Sequence, residues 1–331
     1  MQVVQEGIVP LVEGNSQLED NIMKKIRIAT RGSKLALWQA HYIGDLIKEK
    51  YSDIEVEYKI IKTSGDKILD VPLAKIGGKG LFVKEIEEAL LMGDADIAVH
   101  SMKDVPSQLP EGLEVGIIPK REEPFDAFLS EKYPDLKSLP DGAVVGTSSL
   151  RRQAQLKKTR PDLDIKMLRG NLDTRVRKLK QGLYDAIIVA VAGLKRLNIS
   201  STYMEVLAPP LFFPAVGQGA LGIEYKKDHN ELLEIISFLD HYETKVCVMA
   251  ERGFLDELEG GCQVPIGAYA ELKDNEVYIR GFISDIDGKK FIYGEKNGPS
   301  PDATKVGKEL GRYLLNSGGE EILREIYDQG A

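Results

Sequence analysis

A cysteine between a glycine pair and a Pro-Ile-Gly turn is the residue whose surroundings most favour chemistry. Cys262 lies in EGGCQVPIG, after an amphipathic stretch and before an apolar alternating run, so we expect it on a loop between a helix and a strand. Cys247, in TKVCVMAERGF, is instead predicted to pack in a core. The two cysteines form neither a CxxC pair nor a zinc set, and we expect no disulfide. A lone loop cysteine is more often inert than reactive, so the position of Cys262 on a loop does not by itself establish a chemical role.

The strongest charge pattern is a basic block at residues 151–180. This block holds eleven Lys and Arg against three Asp, in a chain whose net charge is −8. Ser148 or Ser149 is a natural N-cap for the helix that follows. Arg151 and Arg152 would then lie in its first turn, where cations oppose the helix dipole unless an anion binds there.

A second predicted helix start repeats this pattern. In LRGNLDTRVRKL, Asn171 is a natural cap, Arg169 precedes it and Arg175 lies one turn inside. Two helix N-termini with guanidinium groups suit several carboxylates or phosphates, although most of the lysines nearby also fit a solvated helix face. Nucleic acid fits less well than a small polycarboxylate, because residues 151–180 contain no aromatic side chain for base stacking and the pI is about 5.3.

Two further segments place polar residues directly after predicted strands, where α/β proteins bind ligands. AVHSMKDVP places Lys103 and Asp104 there, and IATRGS places Arg31 and Ser33 between a strand and a helix start. A strand-end aspartate suits a general base or a group that stabilises a cation. An exposed charged turn would have the same sequence, so both interpretations stay open.

Other motifs argue against nucleotide and metal sites. GQGALG at 217–222 matches GxGxxG, but it follows a proline-rich segment and leads into a strand, the reverse of a dinucleotide fingerprint. GGKG at 77–80 lacks the rest of a Walker A motif. The four histidines show no ligand spacing, so we expect no metal site in the protein.

The composition is that of a globular protein with two or three domains. The 331 residues are 43% hydrophobic and 29% charged, and no apolar run reaches the roughly 18 residues that a membrane span needs. Residues 1–22 are acidic and lack the basic start of a signal peptide, which favours a cytosolic location. We expect removal of this segment to change activity and melting temperature little.

Strand-like runs alternate with helical periodicity through most of the chain, which predicts an α/β fold with largely parallel sheets. Helices are predicted at 33–50, 81–92, 149–159 and 171–181. After about residue 240, consecutive strands followed by helices predict a small α+β domain. Proline and glycine at 121–126 and 209–219 mark crossovers between two α/β lobes.

Eight segments, in order, together resemble the porphobilinogen deaminase family, also called hydroxymethylbilane synthase. The segments are RIATRGSKLALWQA, GGKGLFVKEIEEAL, AVHSMKDVP, GTSSLRRQAQL, LRGNLDTR, AVAGLKRL, FPAVGQGAL and GGCQVPIG. The resemblance runs from about Lys25 to the C-terminus and leaves out residues 1–22. It implies two lobes like type II periplasmic binding proteins plus a C-terminal α+β domain. The implied division is 23–120 with 220–240 for domain 1, 121–219 for domain 2 and 241–331 for domain 3.

The resemblance also implies a cofactor and a reaction. A dipyrromethane, assembled from the enzyme's own substrate, would be attached to Cys262 by a thioether. Four porphobilinogen molecules would be added to this primer with loss of ammonia, and water would then release hydroxymethylbilane. Asp104 would be the catalytic residue, because a carboxylate there stabilises positive charge on a pyrrole and helps to move protons.

Each pyrrole ring carries an acetate and a propionate, so the resemblance also implies many contacts to carboxylates. The implied cofactor-binding residues are Ser33, Lys103, Asp104, Thr147, Ser148, Ser149, Arg151, Arg152, Arg169, Gly170 and the covalent Cys262. The implied substrate-binding residues are Arg31, Ser33, Arg169, Arg175, Arg196 and Gln218.

The implied partners are porphobilinogen and the growing oligopyrrole chain, with no nucleic acid and no membrane, in a cytoplasmic monomer. The main alternative is a two-lobed solute-binding protein that holds an anion without catalysis. The missing export signal and Cys262 weigh against that alternative. A nucleic-acid-binding protein is a weaker one.

Overall fold

The computed structural model describes residues 23–64, 83–259 and 264–328. The described strands form three separate sheets, two with five strands and one with three. Cys262, residues 1–22 and the GGKG segment at 77–80 lie outside the described residues.

The first lobe is a five-stranded sheet in the order β2-β1-β3-β10-β4, with helices on both faces. Its strands are β1 Lys25–Thr30, β2 Glu55–Ile60, β3 Ile97–Ser101, β4 Leu113–Ile117 and β10 Leu221–Lys226. Its helices are α1 Lys34–Lys50, α2 Lys84–Met92 and α6 Asn230–Ile236. Helices α1 and α6 pack on one face of the sheet with Ile26, Val99 and Ile223, and α2 packs on the other with Ala29 and Ala98.

The second lobe repeats this plan with the strand order β7-β6-β8-β5-β9. Its strands are β5 Asp126–Ser130, β6 Val144–Gly146, β7 Asp164–Lys166, β8 Ala186–Ala190 and β9 Tyr203–Leu207. Its helices are α3 Leu150–Thr159, α4 Leu172–Lys180 and α5 Val191–Arg196. The helices predicted at 33–50, 149–159 and 171–181 agree with α1, α3 and α4 to within one residue at each end.

Both five-stranded sheets are mixed, so the prediction of largely parallel sheets was wrong for half of the strand pairings. β1 pairs in parallel with β2 and β3, but β10 runs antiparallel to β3 and β4. β5 is likewise antiparallel to β8 and β9. β5 and β10 are the strands that directly follow the two crossovers. The chain therefore enters each sheet from the other lobe and not from a covering helix, which reverses the strand direction.

The C-terminal unit is a three-stranded antiparallel sheet covered by helices, as expected for an α+β domain. It contains α7 Tyr242–Glu257, β11 Ile266–Lys273, β12 Glu276–Ser284, β13 Phe291–Pro299, α8 Ala303–Leu314 and α9 Glu320–Asp328. Cys247 lies in α7 within the hydrophobic core, which confirms its predicted packing role. Burial raises the pKa of its thiol to about 12.

The GxGxxG look-alike forms the return crossover between the lobes. Gly217 has a φ of 69°, and a Cβ there would lie 2.8 Å from Cβ of Met102. Gly219 has a φ of 87°, and a Cβ there would collide with the carbonyl oxygen of Glu122 in the outgoing crossover. These glycines allow two backbone segments to cross closely, which is a structural role. No described helix is long and apolar enough to cross a membrane.

Candidate active site

The strand β3 ends in a short 3₁₀ turn, Met102–Asp104, that carries two of the predicted site residues. The Asp104 side chain is exposed, and Lys103 keeps partial contact with solvent. Burial by the surrounding protein lowers the pKa of Lys103, and the positive charges of Arg152 and Arg151 lower it further. Because those arginines belong to the second lobe, the turn faces that lobe across a cleft.

The loop between β1 and α1 lies at the carboxyl end of β1. Ser33 is the N-cap of α1 in an extended conformation, and its Oγ accepts a hydrogen bond of 3.3 Å from the Ala36 N–H. Arg31 precedes it and is partly buried. The predicted strand–Arg–Ser–helix arrangement is therefore present in the first lobe.

The start of α3 supplies hydroxyl groups on the second lobe. Ser149 is the N-cap, as predicted, but its side chain makes no capping hydrogen bond within the described chain. Its N–H instead donates to Oγ1 of Thr147 at 3.2 Å. The Ser148 hydroxyl donates to the carbonyl oxygen of Leu168 at 2.6 Å. The Ser149 hydroxyl thus lies at a helix N-terminus without capping it, where an anion would find favourable partial charge.

Arg151 and Arg152 both form ion pairs with Asp126, a completely buried carboxylate at the start of β5. Arg151 Nη1 donates to Asp126 Oδ2 at 2.6 Å, and also to the carbonyl oxygen of Phe213. Arg152 donates to Asp126 Oδ1 through Nε at 3.0 Å and Nη2 at 2.6 Å. Burial alone would raise the pKa of Asp126, but the two guanidinium groups outweigh it and hold the pKa well below its usual range.

Gln218 belongs to the same buried cluster. Its Nε2 donates to Asp126 Oδ1 at 3.0 Å and to the carbonyl oxygen of Pro124 at 2.7 Å, and the residue is 1% exposed. In this structure Gln218, which lies in the return crossover, therefore binds the same carboxylate as the arginine pair. The predicted contact of Gln218 with substrate stays a prediction.

The start of α4 and the residues just before it include three more predicted site residues, Arg169, Gly170 and Arg175. Asn171 is the N-cap, as predicted, and Gly170 before it has a φ of 113°. Arg175 Nε donates to the Gly170 carbonyl oxygen at 2.7 Å. The pKa of Arg175 is lowered to about 10, chiefly by burial and then by the charges of Arg152 and Arg169, while Asp104 opposes the shift. The guanidinium stays charged at neutral pH, and Asp104 lies close enough across the cleft to act on it.

Arg196 connects α5 of the second lobe with the first lobe. Its Nη2 donates to the Gly219 carbonyl oxygen at 2.7 Å, and its guanidinium carbon lies 5.7 Å from the centre of the Trp38 ring in α1. Burial lowers the pKa of Arg196 to about 10. This contact joins α5 of the second lobe to α1 of the first.

The structure thus brings Lys103 and Asp104 of the first lobe near Arg151, Arg152 and Arg175 of the second. Lys103, Arg175 and Arg196 all have lowered pKa values because burial disfavours their charge. Asp104 opposes this lowering of the pKa at Lys103 and Arg175, as do Asp126 at Lys103 and Glu122 at Arg196, but Asp126 and Glu122 are already paired. A ligand with several carboxylates would restore the balance of charge. Among the described residues, no cluster of His, Cys, Asp and Glu could hold a metal ion.

Cys262 cannot be placed in this cleft, because it lies outside the described residues. Helix α7 ends at Glu257 and β11 begins at Ile266, so the elements before and after it are a helix and a strand, as predicted.

Asp126 is the site residue that the sequence reasoning missed. The sequence indicates its role by a carboxylate in the apolar run DAFLS, because a charge in a buried strand needs a partner.

Two family models match the chain. One is described as "Porphobilinogen deaminase, dipyromethane cofactor binding domain" and matches residues 26–234. The other, "Porphobilinogen deaminase, C-terminal domain", matches residues 245–316. Together they span both lobes and most of the C-terminal unit.

Curated relatives match over nearly the whole chain, whereas solved structures match weakly. Porphobilinogen deaminase of Maridesulfovibrio salexigens is 61% identical over 93% of this chain and 100% of its own length. That of Lawsonia intracellularis is 56% identical over 92% and 99%. The extracellular-binding protein ytmK of Bacillus subtilis has a TM-score of 0.39 at 14% identity, over 66% of this chain and 90% of its own. The aliphatic sulphonate binding protein SsuA of Escherichia coli has a TM-score of 0.38 at 13% identity, over 71% of both.

TM-scores at this level do not establish a common fold, so the family rests on the sequence relatives and the family models. Those matches cover the turn with Lys103 and Asp104, both arginine-bearing helix starts and the C-terminal unit. On this evidence, the chain belongs to the porphobilinogen deaminase family.

Proposed function

We propose that this chain joins four porphobilinogen molecules into hydroxymethylbilane, with release of ammonia, in tetrapyrrole biosynthesis. The observation that carries the proposal is the cleft, in which Lys103 and Asp104 of the first lobe face Arg152 and Arg175 of the second, so that cations outnumber carboxylates. Porphobilinogen and its oligomers carry an acetate and a propionate on every ring. The cleft therefore has the charge that such a chain of pyrroles needs, with one carboxylate left to act on the rings.

The residues present also fit a covalently held dipyrromethane. Its carboxylates would bind cations such as Lys103, whose pKa is lowered by burial. They would also bind at the start of α3, where the Ser149 side chain makes no capping hydrogen bond within the described chain. Bound there, the group supplies the pyrrole to which the first substrate is joined. The residues proposed to hold it are Ser33, Lys103, Asp104, Thr147, Ser148, Ser149, Arg151, Arg152, Arg169 and Gly170, with Cys262 as the point of attachment.

The arginines on the open side of the cleft are proposed to bind substrate carboxylates. Arg175 is held by its Nε to Gly170, which leaves its two terminal nitrogens for a bidentate contact. Arg31 and Arg196 would bind from the opposite side, with Ser33. Arg151 and Arg152 are fixed by Asp126, so they would present a rigid arrangement of donors that needs little reorganisation.

Asp104 is proposed to act on the reacting pyrrole of the substrate. Loss of ammonia leaves positive charge on that ring, and a carboxylate at the end of β3 stabilises this charge. The same carboxylate can accept a proton from the pyrrole carbon after the new bond has formed. Its position on a short 3₁₀ turn, anchored by the Met102 N–H on the Ala220 carbonyl oxygen at 3.0 Å, keeps it aimed into the cleft.

We also infer three domains with the boundaries predicted from the sequence, 23–120 with 220–240, 121–219 and 241–331. The three separate sheets and the return of β10 to the first lobe support this division. A cytoplasmic monomer that binds porphobilinogen and its growing oligopyrrole chain, without nucleic acid, is proposed from the sequence and the family.

Intact mass spectrometry tests the covalent part of the proposal. Purified protein is expected to exceed its sequence mass by two condensed pyrrole units and to react with Ehrlich's reagent. Cys262→Ala should lose the added mass and the formation of hydroxymethylbilane together, whereas Cys247→Ala, the matched control, should keep both. An active Cys262→Ala protein would contradict the attachment. Protein that binds porphobilinogen without ever forming product would instead indicate the non-catalytic anion-binding alternative.

A further inference from the structure

Three ionisable side chains are buried together in the first lobe, away from the arginine-lined cleft. Glu87 of α2 is 7% exposed, His100 of β3 is 6% exposed and Glu224 of β10 is 1% exposed. His100 Nε2 lies 2.8 Å from Glu224 Oε2. None of the three is among the residues that the proposed reaction uses. Charged groups are seldom buried in this way without a role or a partner.

The strand register explains why the three side chains meet. His100 pairs with Gly222 and Ala98 pairs with Glu224 in the antiparallel ladder of β3 and β10. Residues two apart on a strand share a face, so His100 and Glu224 lie on the face that also carries Ala98. Helix α2 covers that face through a small apolar cluster that includes Ile86, and the next residue of the helix, Glu87, is buried as well.

The hydrogen bonds of this cluster are incomplete unless it holds an extra proton. Oε1 of Glu87 and Oε1 of Glu224 are both buried without a hydrogen-bond partner in the described chain. With both carboxylates ionised, two acceptors lack a donor and two like charges lie in a dry interior, which is costly. A proton on Glu87 removes one charge and supplies the missing donor.

The charges around Glu87 favour that protonated form. The pKa of Glu87 is raised to about 7, chiefly by burial and then by the charges of Glu224 and Glu88, while His100 opposes the shift. The neighbouring strand β4 places Val115 opposite Glu224, which contributes no charge. Arg27 of β1 lies on the face that carries Ala29 but is already paired with Asp96, so among the described residues the one possible cation that acts on Glu87 is the imidazole that Glu224 already binds.

The cluster is directly connected to the turn that carries Asp104. His100 is the second-last residue of β3, and the turn Met102–Asp104 follows that strand. The His100–Glu224 contact joins β3 to β10 just before the turn, and the Met102 N–H joins them again at Ala220. Any change that separates these two strands would move Lys103 and Asp104.

We propose that Glu87 and Glu224 share one proton and, through His100, position the Lys103–Asp104 turn for the reaction. Glu87, His100 and Glu224 are positioning residues in this scheme, and the scheme rests on the proposed role of Asp104. When the shared proton leaves, an unbalanced negative charge remains between α2 and the sheet. The two carboxylates then repel each other, and α2 loosens from β3 and β10.

The shared proton is tested directly on the wild-type enzyme. Protein labelled with ¹³C at the glutamate carboxyl carbons is titrated by NMR, and one carboxyl is expected to change near pH 7 and to be missing from the spectrum of Glu87→Gln. A wild-type spectrum in which no glutamate titrates above about pH 6 overturns the proposal, since an ordinary glutamate titrates near 4.3. This readout needs no activity, and the outcome that overturns the proposal is read from the wild-type protein alone.

Stability gives a second test, with a sign fixed by linkage. The pKa of Glu87 is higher in the folded than in the unfolded chain, so wild-type stability falls as pH rises from the ordinary glutamate pKa towards 7. Glu87→Gln resembles the protonated form and does not titrate. Its melting temperature relative to wild type should therefore rise between pH 5 and pH 8. Glu88→Gln, on the exposed face next to it, should show a much smaller trend, because Glu88 contributes the least of the charges that act on Glu87. Equal trends in the two variants would contradict the proposal.

Turnover separates positioning from a purely structural role. The ratio of kcat in Glu87→Gln to kcat in wild type should rise as pH passes 7, because the amide keeps a donor where the wild type has lost its proton. Glu87→Leu lacks the donor, so its kcat should be several-fold lower at pH 6 with the same covalent adduct and a similar KM. A ratio that does not change with pH would overturn the positioning role. Failure of the proposed function would look different, as absence of hydroxymethylbilane from wild type at every pH.

Discussion

Arg121 and Glu251 form a bidentate ion pair that joins the outgoing crossover to the C-terminal unit. Arg121 Nη1 lies 2.7 Å from Glu251 Oε1 and Nη2 lies 3.0 Å from Oε2, and Glu251 is completely buried. The same carboxylate accepts hydrogen bonds from the N–H groups of Gly217 and Ala270, at 2.7 and 3.0 Å. One side chain of α7 therefore holds both crossovers and the first strand of the C-terminal sheet.

Glu251→Gln should therefore destabilise the protein strongly, because it leaves the buried Arg121 without its counter-charge. Removing one partner of a buried ion pair costs roughly 3–5 kcal/mol. Glu257→Gln, on the same helix, breaks the pair with the largely exposed Arg312 and should cost about 1 kcal/mol or less. Urea unfolding measures both. Similar midpoints for the two variants would show that the buried pair does not have this role.

Asp104→Asn should fold, carry the covalent adduct and turn over slowly. The amide keeps the size of the side chain but not the charge that stabilises a cationic pyrrole, so kcat and kcat/KM should fall together. A loss of about 10²–10⁴-fold is expected for a group that moves protons in the reaction. Asp104→Glu should retain more activity than the amide. The assay follows hydroxymethylbilane as oxidised uroporphyrin, and a normal kcat with a raised KM would make Asp104 a binding residue.

Arg175→Lys should lower kcat/KM although it preserves the charge. Lysine loses the Nε contact to Gly170 and the two parallel donors that a carboxylate accepts. A decrease of about 10- to 100-fold follows if one charge-assisted hydrogen bond of roughly 1.5–3 kcal/mol is lost. Arg177→Lys, at an exposed position of the same helix, is the matched control and should behave like wild type. Equal kinetics for both variants would remove Arg175 from the binding site.

Cys247 should resist alkylation in the folded protein. Burial raises its pKa to about 12, so almost no thiolate is present at pH 8. In Cys262→Ala protein, iodoacetamide at pH 8 should leave Cys247 unmodified until denaturant is added, as read by mass. Rapid modification of the native protein would show that this part of α7 opens readily.

Asp126 should contribute stability that disappears in acid. Its pKa is lower in the folded than in the unfolded chain, so its contribution is complete above the unfolded value near 3.9 and is lost as pH falls below it. Asp126→Asn should therefore be less stable than wild type at pH 7, and the difference should shrink below about pH 4. Chemical unfolding at several pH values measures this. A difference that does not depend on pH would mean that the charge of Asp126 is not what stabilises the pair.

Local patterns predicted much of the cleft, because helix starts depend on neighbouring residues. Asn171 was recognised as one N-cap and Ser148 or Ser149 as the other, which placed Arg151, Arg152 and Arg175 near helix starts before any packing was known. The turn after β3 was found in the same way from the end of an apolar run.

The features that were missed depend on contacts between distant parts of the chain. Asp126 meets Arg151 and Arg152 only after β5 has entered the second sheet, and no local spacing joins them. The antiparallel direction of β10 follows from the crossover and not from its composition. β9 was not predicted because it is an edge strand with most of its side chains exposed, so it lacks a buried apolar alternation.

The contact between Arg196 and Trp38 gives the protein an intrinsic fluorescent probe. Trp38 is the only tryptophan in the 331 residues, so the indole fluorescence of the whole chain comes from this one ring. The ring belongs to the first lobe, and the guanidinium 5.7 Å away belongs to the second. A ligand carboxylate that draws Arg196 from the ring alters the emission at that moment. Stopped-flow fluorescence of the unlabelled enzyme would then time each binding event at the cleft, independently of product release.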